Sequence, residues 1–437
     1  MRSPVIRRTT LLGTALFTAA ALSLTACGGG GSGGGNSKTV TIWSSLDAPV
    51  QAGLEKALVA KLKADNQDIT IKWQQVQNIN QLIITKIQAG DTPDIAMIPQ
   101  PGVVAQMQQL GATKPLDDVV DMSSLKTSMV PGTLEAGTIG GKLYGLIVSA
   151  NVKGLIWYPK KPWSQKGYPT QVKDIPALES LTNQIKSDGG TPWCAGVQDP
   201  GGASGWPATD WMETLIMKQS GADVYNQWVQ HKVMFDSPQV QQAASEMSKL
   251  LFTNGNTQGG QHAIASTNWQ TAASPMFESS PKCWMYMQGS FITGFFPKSA
   301  TKNLDANVGV MGFPPATAGG ENPVEGGGDL MTMLNDSDNV KTVVKDLSET
   351  SIGNDAAPSS SFISPHKDFN VSLYPNQVTK TIAQYLYSAT TFLFDGSDAM
   401  PAQVGAGSFW KEMVAWIGGQ EDISTALKNI DQSWPSS

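Results

Sequence analysis

Histidine is scarce in this chain: His231, His262 and His366 are the whole set, and they stand far apart. There is no H-E-x-x-H and no C-x-x-C, so a zinc hydrolase has no ligand motif to start from. There is no G-x-S-x-G elbow for a serine hydrolase. The glycine run Gly326–Gly328 lacks the Lys-Ser/Thr of a phosphate loop and the G-x-G-x-x-G spacing of a dinucleotide site. Charge is sparse as well, at 15% of residues, with 36 acids against 30 bases. An acidic, weakly charged body argues against nucleic acid as a partner. Past the first two dozen residues no stretch is apolar enough to read as a membrane span.

What is present begins with the leader. Arg2, Arg7 and Arg8 precede the uncharged run Leu11–Leu24, which has the length of a signal h-region. Leu24-Thr25-Ala26-Cys27 then resembles the lipobox of bacterial lipoproteins. That resemblance implies cleavage before Cys27 and a diacylglycerol on its sulfur, giving a leader over 1–26. The other reading is an ordinary secretory signal with an incidental cysteine. Gly28–Gly35 makes sense as a flexible tether, with 27–37 lifting a folded body off the outer face of the cell membrane. Arg7-Arg8 leaves Sec and twin-arginine export both open. Without the leader, 27 bases against 36 acids give a net charge of −9. Cys194 and Cys283 remain in a compartment that permits disulfides and are expected to pair, the alternative being two buried free thiols.

Roughly four hundred residues follow the tether, a length that suits two lobes. Alternation in KTVTIWSS predicts a strand. Val50, Leu54, Leu58 and Leu62 predict a helix over 50–64. A strand at 69–73, a helix at 80–89, an apolar strand after Pro93 and a helix at 103–110 complete an α/β lobe with a mostly parallel sheet. The run 144–158 reads as two strands and a passage into a second, tryptophan-rich lobe, with helices near 175–187, 207–220 and 238–252. KCWMYMQGSF reads as a strand of that lobe, and NVGVMGFPPA as a return to the first. The lobes are thus expected at 38–150 plus 303–350 and at 151–302 plus 351–437, hinged by several crossings.

Four segments carry a family resemblance: Gly90-Asp91-Thr92-Pro93-Asp94-Ile95, Gly141-Lys142-Leu143-Tyr144-Gly145, Trp157-Tyr158-Pro159-Lys160, and Met400-Pro401 with Phe409-Trp410. They resemble the G-x-x-PD, G-K-x-Y-G, Tyr-Asn-Lys and Met-Pro…Phe-Trp motifs of the family 1 extracellular solute-binding proteins of ABC importers. Pro192–Gly196, Gly205–Trp211, Gln288–Phe291 and Gly326–Asp329 are similar to the α-glucoside-binding branch. The resemblance implies a type II periplasmic-binding-protein-like fold: two α/β lobes, each a mostly parallel sheet flanked by helices, closing on a carbohydrate. It implies delivery to the transmembrane subunits of a permease with a cytoplasmic ATPase. It also implies a monomer that makes and breaks no bonds and needs no cofactor or metal.

A pyranose offers polar edges and an apolar C–H face, so its site needs flat rings and convergent hydrogen-bond partners. Trp410, in the Met-Pro…Phe-Trp segment, is the candidate platform; helix-core packing beside Met413 and Trp416 is the alternative. Phe291 is either a second platform or a strand-core residue. Trp206 reads as structural. Trp43, Asp47, Gln77 and Gln100 follow strands whose C-terminal ends face the crevice of a parallel sheet. Asp47 is equally a helix N-terminal acid, and the two glutamines are equally solvated surface. Gln288 belongs to the branch segment. Asp210 either accepts hydroxyls or pairs locally. Gly327 and Gly328 would let backbone approach a ligand, with Asp329 at the rim, or form a plain turn. Asp398, with Asp395, is a loop acid or a ligand partner, and Lys153 enters the cleft near the crossover or is simply exposed. Ile98-Pro99-Gln100-Pro101 lacks the aromatic and Asp that maltodextrin-binding relatives carry there, a departure that argues against a maltodextrin and leaves a smaller glucoside open.

Two rivals stand beside this reading. A lipid-anchored glycoside hydrolase would need two carboxylates about 5–10 Å apart, one with a raised pKa, and no motif points to such a pair. A structural or peptide-binding lipoprotein, or a binding protein for a non-sugar solute, would be favoured by a cleft lined with charges and backbone edges instead of stacked rings.

Overall fold

The computed structural model describes residues 38–359 and 361–435. The leader, Cys27 and the glycine tether lie outside the described residues, and no helix among the described residues is long and apolar enough to cross a membrane.

The first sheet begins as the alternation requires. β1 (Thr39–Ser44) buries every second residue, Val40, Ile42 and Ser44. It pairs in parallel with β2 (Thr70–Gln75) on one side and β3 (Ile95–Ile98) on the other. The helix Ala48–Ala64 covers one face through Val50, Leu54, Leu58 and Leu62. The helix Ile79–Ala89 ends where Gly90 takes a left-handed conformation at φ 69°, which a side chain would disfavour. The Pro-Asp that follows has a mechanical job. Asp94 Oδ2 accepts from both the backbone N–H and the hydroxyl of Thr41 at 2.8 Å, and its Oδ1 accepts from Asn335 Nδ2 at 2.9 Å. This carboxylate pins the start of β3 between β1 and the end of a later strand.

After the two-residue strands β4 (Thr138–Ile139) and β5 (Lys142–Leu143), β6 (Leu146–Val152) and β7 (Leu155–Pro159) are the crossing. β7 is the centre of a second sheet, flanked antiparallel by β8 (Tyr286–Gln288) and β9 (Val308–Gly312). The expectation of a mostly parallel sheet therefore holds for the first lobe and not for the second. The strand Val308–Gly312, expected to return to the first lobe, stays in the second; the return comes with β10 (Val324–Met333). β10 is buried along its whole length and runs antiparallel to β6 and β3. Its first residues pair in parallel with β11 (Phe392–Phe394). A second correction concerns the segment after 350. Ile352, Ala356, Phe362 and Phe369 share the apolar cluster of Val40 and Leu54, and Ala150 N–H donates to Ile363 O at 2.8 Å, so this stretch packs on the first lobe. Apolar strands look alike in sequence; which sheet they join is settled by partners far along the chain.

The second lobe is dense in aromatics. Trp157, Trp163, Trp193 and Trp228 are fully buried. Cys194 and Cys283 form the expected disulfide, 89 positions apart.

Candidate ligand-binding cleft

Strand direction decides what faces what. The C-terminal ends of β1, β2 and β3 point to one edge of the first sheet and carry Ser45, Asp47, Gln77 and Gln100 there. β10 runs the other way, with Leu330 opposite Ile98. Asp329 therefore arrives beside the same edge, and Ser45 Oγ donates to Asp329 Oδ1 at 3.4 Å. In the second sheet Leu155 pairs with Gln288, which puts the start of β7 beside the end of β8. Ser290 Oγ accepts from Val152 N–H at 3.2 Å there, bringing the Ser290–Phe291 turn to Lys153.

Aromatic rings form the wall on this side. Trp206 lies 5.8 Å from Phe291 and 4.9 Å from Trp269, centroid to centroid, and Lys153 Nζ sits 5.5 Å over the Trp206 ring. Asp210, one helical turn beyond Trp206, follows on the same face and binds Lys153 Nζ at 2.9 Å. Gly205 makes this corner possible: at φ 114° a Cβ would stand 2.3 Å from the carbonyl oxygen of Trp410. Trp410 itself starts the helix Trp410–Ile417 directly after a π-helical turn, Val404–Phe409, a winding often found at functional sites. Its neighbours Met413 and Trp416 are buried while Trp410 stays half-buried, its indole Nε1 without a partner among the described residues.

The end of β3 and the turn after β11 meet at Gln100. Its amide nitrogen donates to Asp398 Oδ1 at 2.8 Å and its oxygen accepts from Asn80 Nδ2 at 2.9 Å. Asp398 sits on the turn after β11, and Asp395 of the same turn pairs with Lys153. Behind them lie Glu325 and Glu213, both fully buried.

Electrostatics follow from this crowding. Burial alone would lower Lys153, but Asp210, Asp395, Glu325 and Asp398 outweigh it and hold the ammonium well above its ordinary value. Asp395 is pulled down by that ammonium against the effect of burial. Burial pushes Asp210 up to about 7 despite Lys153, and burial plus the charge of Asp395 takes Asp398 to about 7. Asp329 rises to about 7 by burial, partly offset by Ser45. Burial and neighbouring carboxylates raise Glu325 and Glu213 well above the usual range. Asp210, Glu325 and Asp395 bring oxygens within 4.8 Å of one another, a spacing a metal ion could use. Lys153, bonded to two of the three, already supplies the cation.

The sequence candidates divide accordingly. Gln100 bridges to Asp398, Asp329 pairs with Ser45, Phe291 packs beside Trp206 and Trp269, and Trp410 is half-buried at the Gly205 corner. Asp47 occupies the N-cap of the helix Ala48–Ala64, yet its exposed side chain makes no cap hydrogen bond. Trp43 is half-buried on β1, and Gln77 is exposed after β2. Asp210 pairs, though across 57 positions and not locally. Gln288 is turned inward at 2% exposure: its oxygen accepts from Gly289 N–H at 2.8 Å. Gly326–Gly328 is neither turn nor rim. These glycines lie inside β10, and a Cβ at Gly328 would meet Ile147 and Ser149 at 2.7 Å, whereas at Gly327 only Phe394 comes as near as 4.0 Å. Close strand packing explains Gly328; space for a ligand remains at Gly327 alone. Asp329 is floor, not rim, at 8% exposure.

Residues 45–356 match the profile of the bacterial extracellular solute-binding proteins. The chain belongs to this family. Among relatives of this solute-binding protein, the alpha-glucosides-binding periplasmic protein AglE of Rhizobium meliloti is 34% identical over 84% of this chain and 81% of its own. The osmoprotective compounds-binding protein GgtB of Synechocystis sp. is 30% identical over 94% and 96%. Among solved structures, the bacterial solute receptor AcbH, described as exclusive for β-D-galactopyranose, superposes with a TM-score of 0.76 at 16% identity, covering 90% of this chain and 98% of that one. The sugar-binding protein MalE of Xanthomonas citri gives 0.69 at 15% identity, covering 90% and 95%. The family resemblance read from the four motifs is thereby established, as is the two-lobed α/β fold of this solute-binding protein. Its family places it outside the cytoplasm.

Sequence reading missed Ser45, Asn80 and Trp269. Ser45 and Asn80 stand at the ends of a predicted strand and helix, where periodicity marks the element but assigns the end residue no role. Trp269, which backs both Trp206 and Phe291, sits in a polar loop where only its residue type was a signal.

Proposed function

We propose that this solute-binding protein captures a carbohydrate, an α-glucoside or small oligosaccharide, between its lobes and delivers it to the permease subunits of an ABC importer driven by a cytoplasmic ATPase. It does so as a monomer held to the outer face of the cell membrane through lipid on Cys27. One observation carries the reading: an aromatic wall of Trp206 and Phe291 stands on one lobe, while Gln100, Asp329 and Ser45 offer donors and acceptors from the other. Rings serve the C–H face of a pyranose and the polar groups serve its hydroxyls. Similarity to AglE supports an α-glucoside. Similarity to GgtB favours keeping compatible solutes in the panel as a second ligand class.

The test is a thermal-shift screen against maltose, trehalose, sucrose, glucosylglycerol and p-nitrophenyl α-glucoside. A rise in melting temperature with one sugar, and no glucose or nitrophenol released on long incubation, is the expected result. Steady release of product would make the protein a hydrolase. No shift with any of them would remove carbohydrate as the ligand class.

A further inference from the structure

The acids along the cleft outnumber its cations. Asp47, Asp329 and Asp398 stand at the strand-end edge, and Asp210, Asp395 and Glu325 are buried behind it. The ammonium on the other side of the balance is Lys153, and it is spent: Asp210 and Asp395 both bind it, and the Trp206 ring covers it. Lys411, next to the candidate platform Trp410, turns outward to Glu412 at 2.9 Å. The sequence sharpens the point. Its three arginines are Arg2, Arg7 and Arg8, so the chain beyond Arg8 contains none. Arginine is the side chain whose planar fork matches carboxylate and phosphate with two parallel hydrogen bonds. This protein has no such fork to bring to a ligand.

We propose that the cleft is a charge filter: it admits uncharged or cationic polyhydroxylated solutes and turns away sugar phosphates and uronates. The inference rests on the capture of a sugar in this cleft. Neutral hydroxyls satisfy Asp329, Asp398 and Gln100 by donating or accepting as needed. A phosphate or carboxylate has acceptors only and, above about pH 7, where Asp329 and Asp398 have released their protons, meets carboxylate oxygens that are also acceptors. Like charges brought together in a partly dehydrated groove repel more strongly than in water. A uniform acidic field also lowers the rate at which anions reach the mouth. The filter therefore acts through composition as well as fit.

Matched pairs measured by calorimetry on the full chain at pH 8.5, where the cleft acids are ionised, test it: trehalose with trehalose 6-phosphate and 6-amino-6-deoxytrehalose, and sucrose with sucrose 6-phosphate. The phosphorylated member should bind at least tenfold more weakly than its parent, and the amino member as well as the parent or better. Raising NaCl from 20 to 500 mM should narrow the phosphate gap, since screening acts on charge and not on size. Asp47→Asn and Asp398→Asn should each raise the ratio of phosphorylated to neutral affinity severalfold; Asp47 is exposed, so that variant does not depend on refolding a buried site. Phosphorylated and parent sugars binding within threefold of each other would overturn the filter and leave sugar capture standing. So would an equal loss for the amino and phosphate members, which would mark a steric limit. Silence from every neutral sugar would overturn both.

Discussion

Gln100 and Asp398 stand 298 positions apart and share a 2.8 Å hydrogen bond that joins the end of β3 to the turn after β11. The same amide accepts from Asn80, so both of its edges are in use before any ligand arrives. Under the proposed function, a sugar entering here takes over or extends this bridge. Gln100→Ala should weaken sugar binding by about tenfold or more, the scale of one hydrogen bond to a charged group. It should move the melting temperature of the free protein little, since Gln100 is only half-buried. Calorimetry decides; unchanged affinity would take Gln100 out of the site.

Trp410 and Trp206 offer different contributions to the same wall. Trp410 is half-buried, and its indole Nε1 has no hydrogen-bond partner among the described residues. Trp206 packs edge to face against Trp269 and lies under Lys153 Nζ. Trp410→Ala should abolish most affinity, about 2 kcal/mol or more on the scale of a lost aromatic anchor, and leave stability nearly unchanged. Trp206→Ala should lower both affinity and melting temperature. If the Trp410 variant binds as tightly as the parent, that ring belongs to the second-lobe core and not to the ligand.

Lys153 is the keystone of a buried acid cluster. Removing it as Lys153→Met leaves Asp210 and Asp395 without their counter-charge, and loss of one partner from a buried ion pair destabilises by about 3–5 kcal/mol. The pH dependence has a definite sign. Asp210, Asp329 and Asp398 rise from 3.8 to about 7 in the folded protein. Between those values the native state holds protons the unfolded chain has lost, so stability falls as pH rises through that window. Without Lys153 the fall should steepen. Urea midpoints at pH 5 and pH 8 measure it; equal slopes for both proteins would show that the ammonium does not neutralise these acids.

Local periodicity made the first lobe readable. Val40 and Ile42 alternate with threonines, and Val50 to Leu62 recur every four residues, so β1 and its helix fall where the residues put them. The Pro-Asp turn was legible because Asp94 satisfies neighbouring donors in a fixed geometry. What failed depends on distant partners. Val308–Gly312 is as apolar as β10, and only its pairing to β7 assigns its lobe. Gly326–Gly328 carries the composition of a turn, yet the carbonyl of Ser149 and the side chain of Ile147 demand glycine inside a strand. Asp210 was open to several roles because its counter-ion, Lys153, comes from the crossing 57 positions earlier. The cleft was legible as a set of edges and chemical types, and its bonds were not.

Lys218 gives the hinge its own titration. It is 5% exposed and donates to the carbonyl oxygen of Pro323 at 2.6 Å, to Asn322 Oδ1, and to the Tyr385 hydroxyl at 3.3 Å, tying the helix Trp206–Val229 to the strand that returns to the first lobe. Burial lowers it from 10.5 to about 7, with Glu325 working the other way. Between pH 7 and 10.5 the unfolded chain keeps a proton that the native chain has released, so this group makes stability rise with pH, by at most about 1.4 kcal/mol per pH unit. Lys218→Met should remove that rise and, above about pH 10.5, where Lys218 of the parent is neutral in both states, lower stability by about 1–3 kcal/mol, because the Pro323 carbonyl loses its donor. Urea unfolding at pH 7.5 and 9.5 compares the two. A rise of the same size in the variant would mean that Lys218 stays protonated in the folded protein, with Glu325 prevailing over burial.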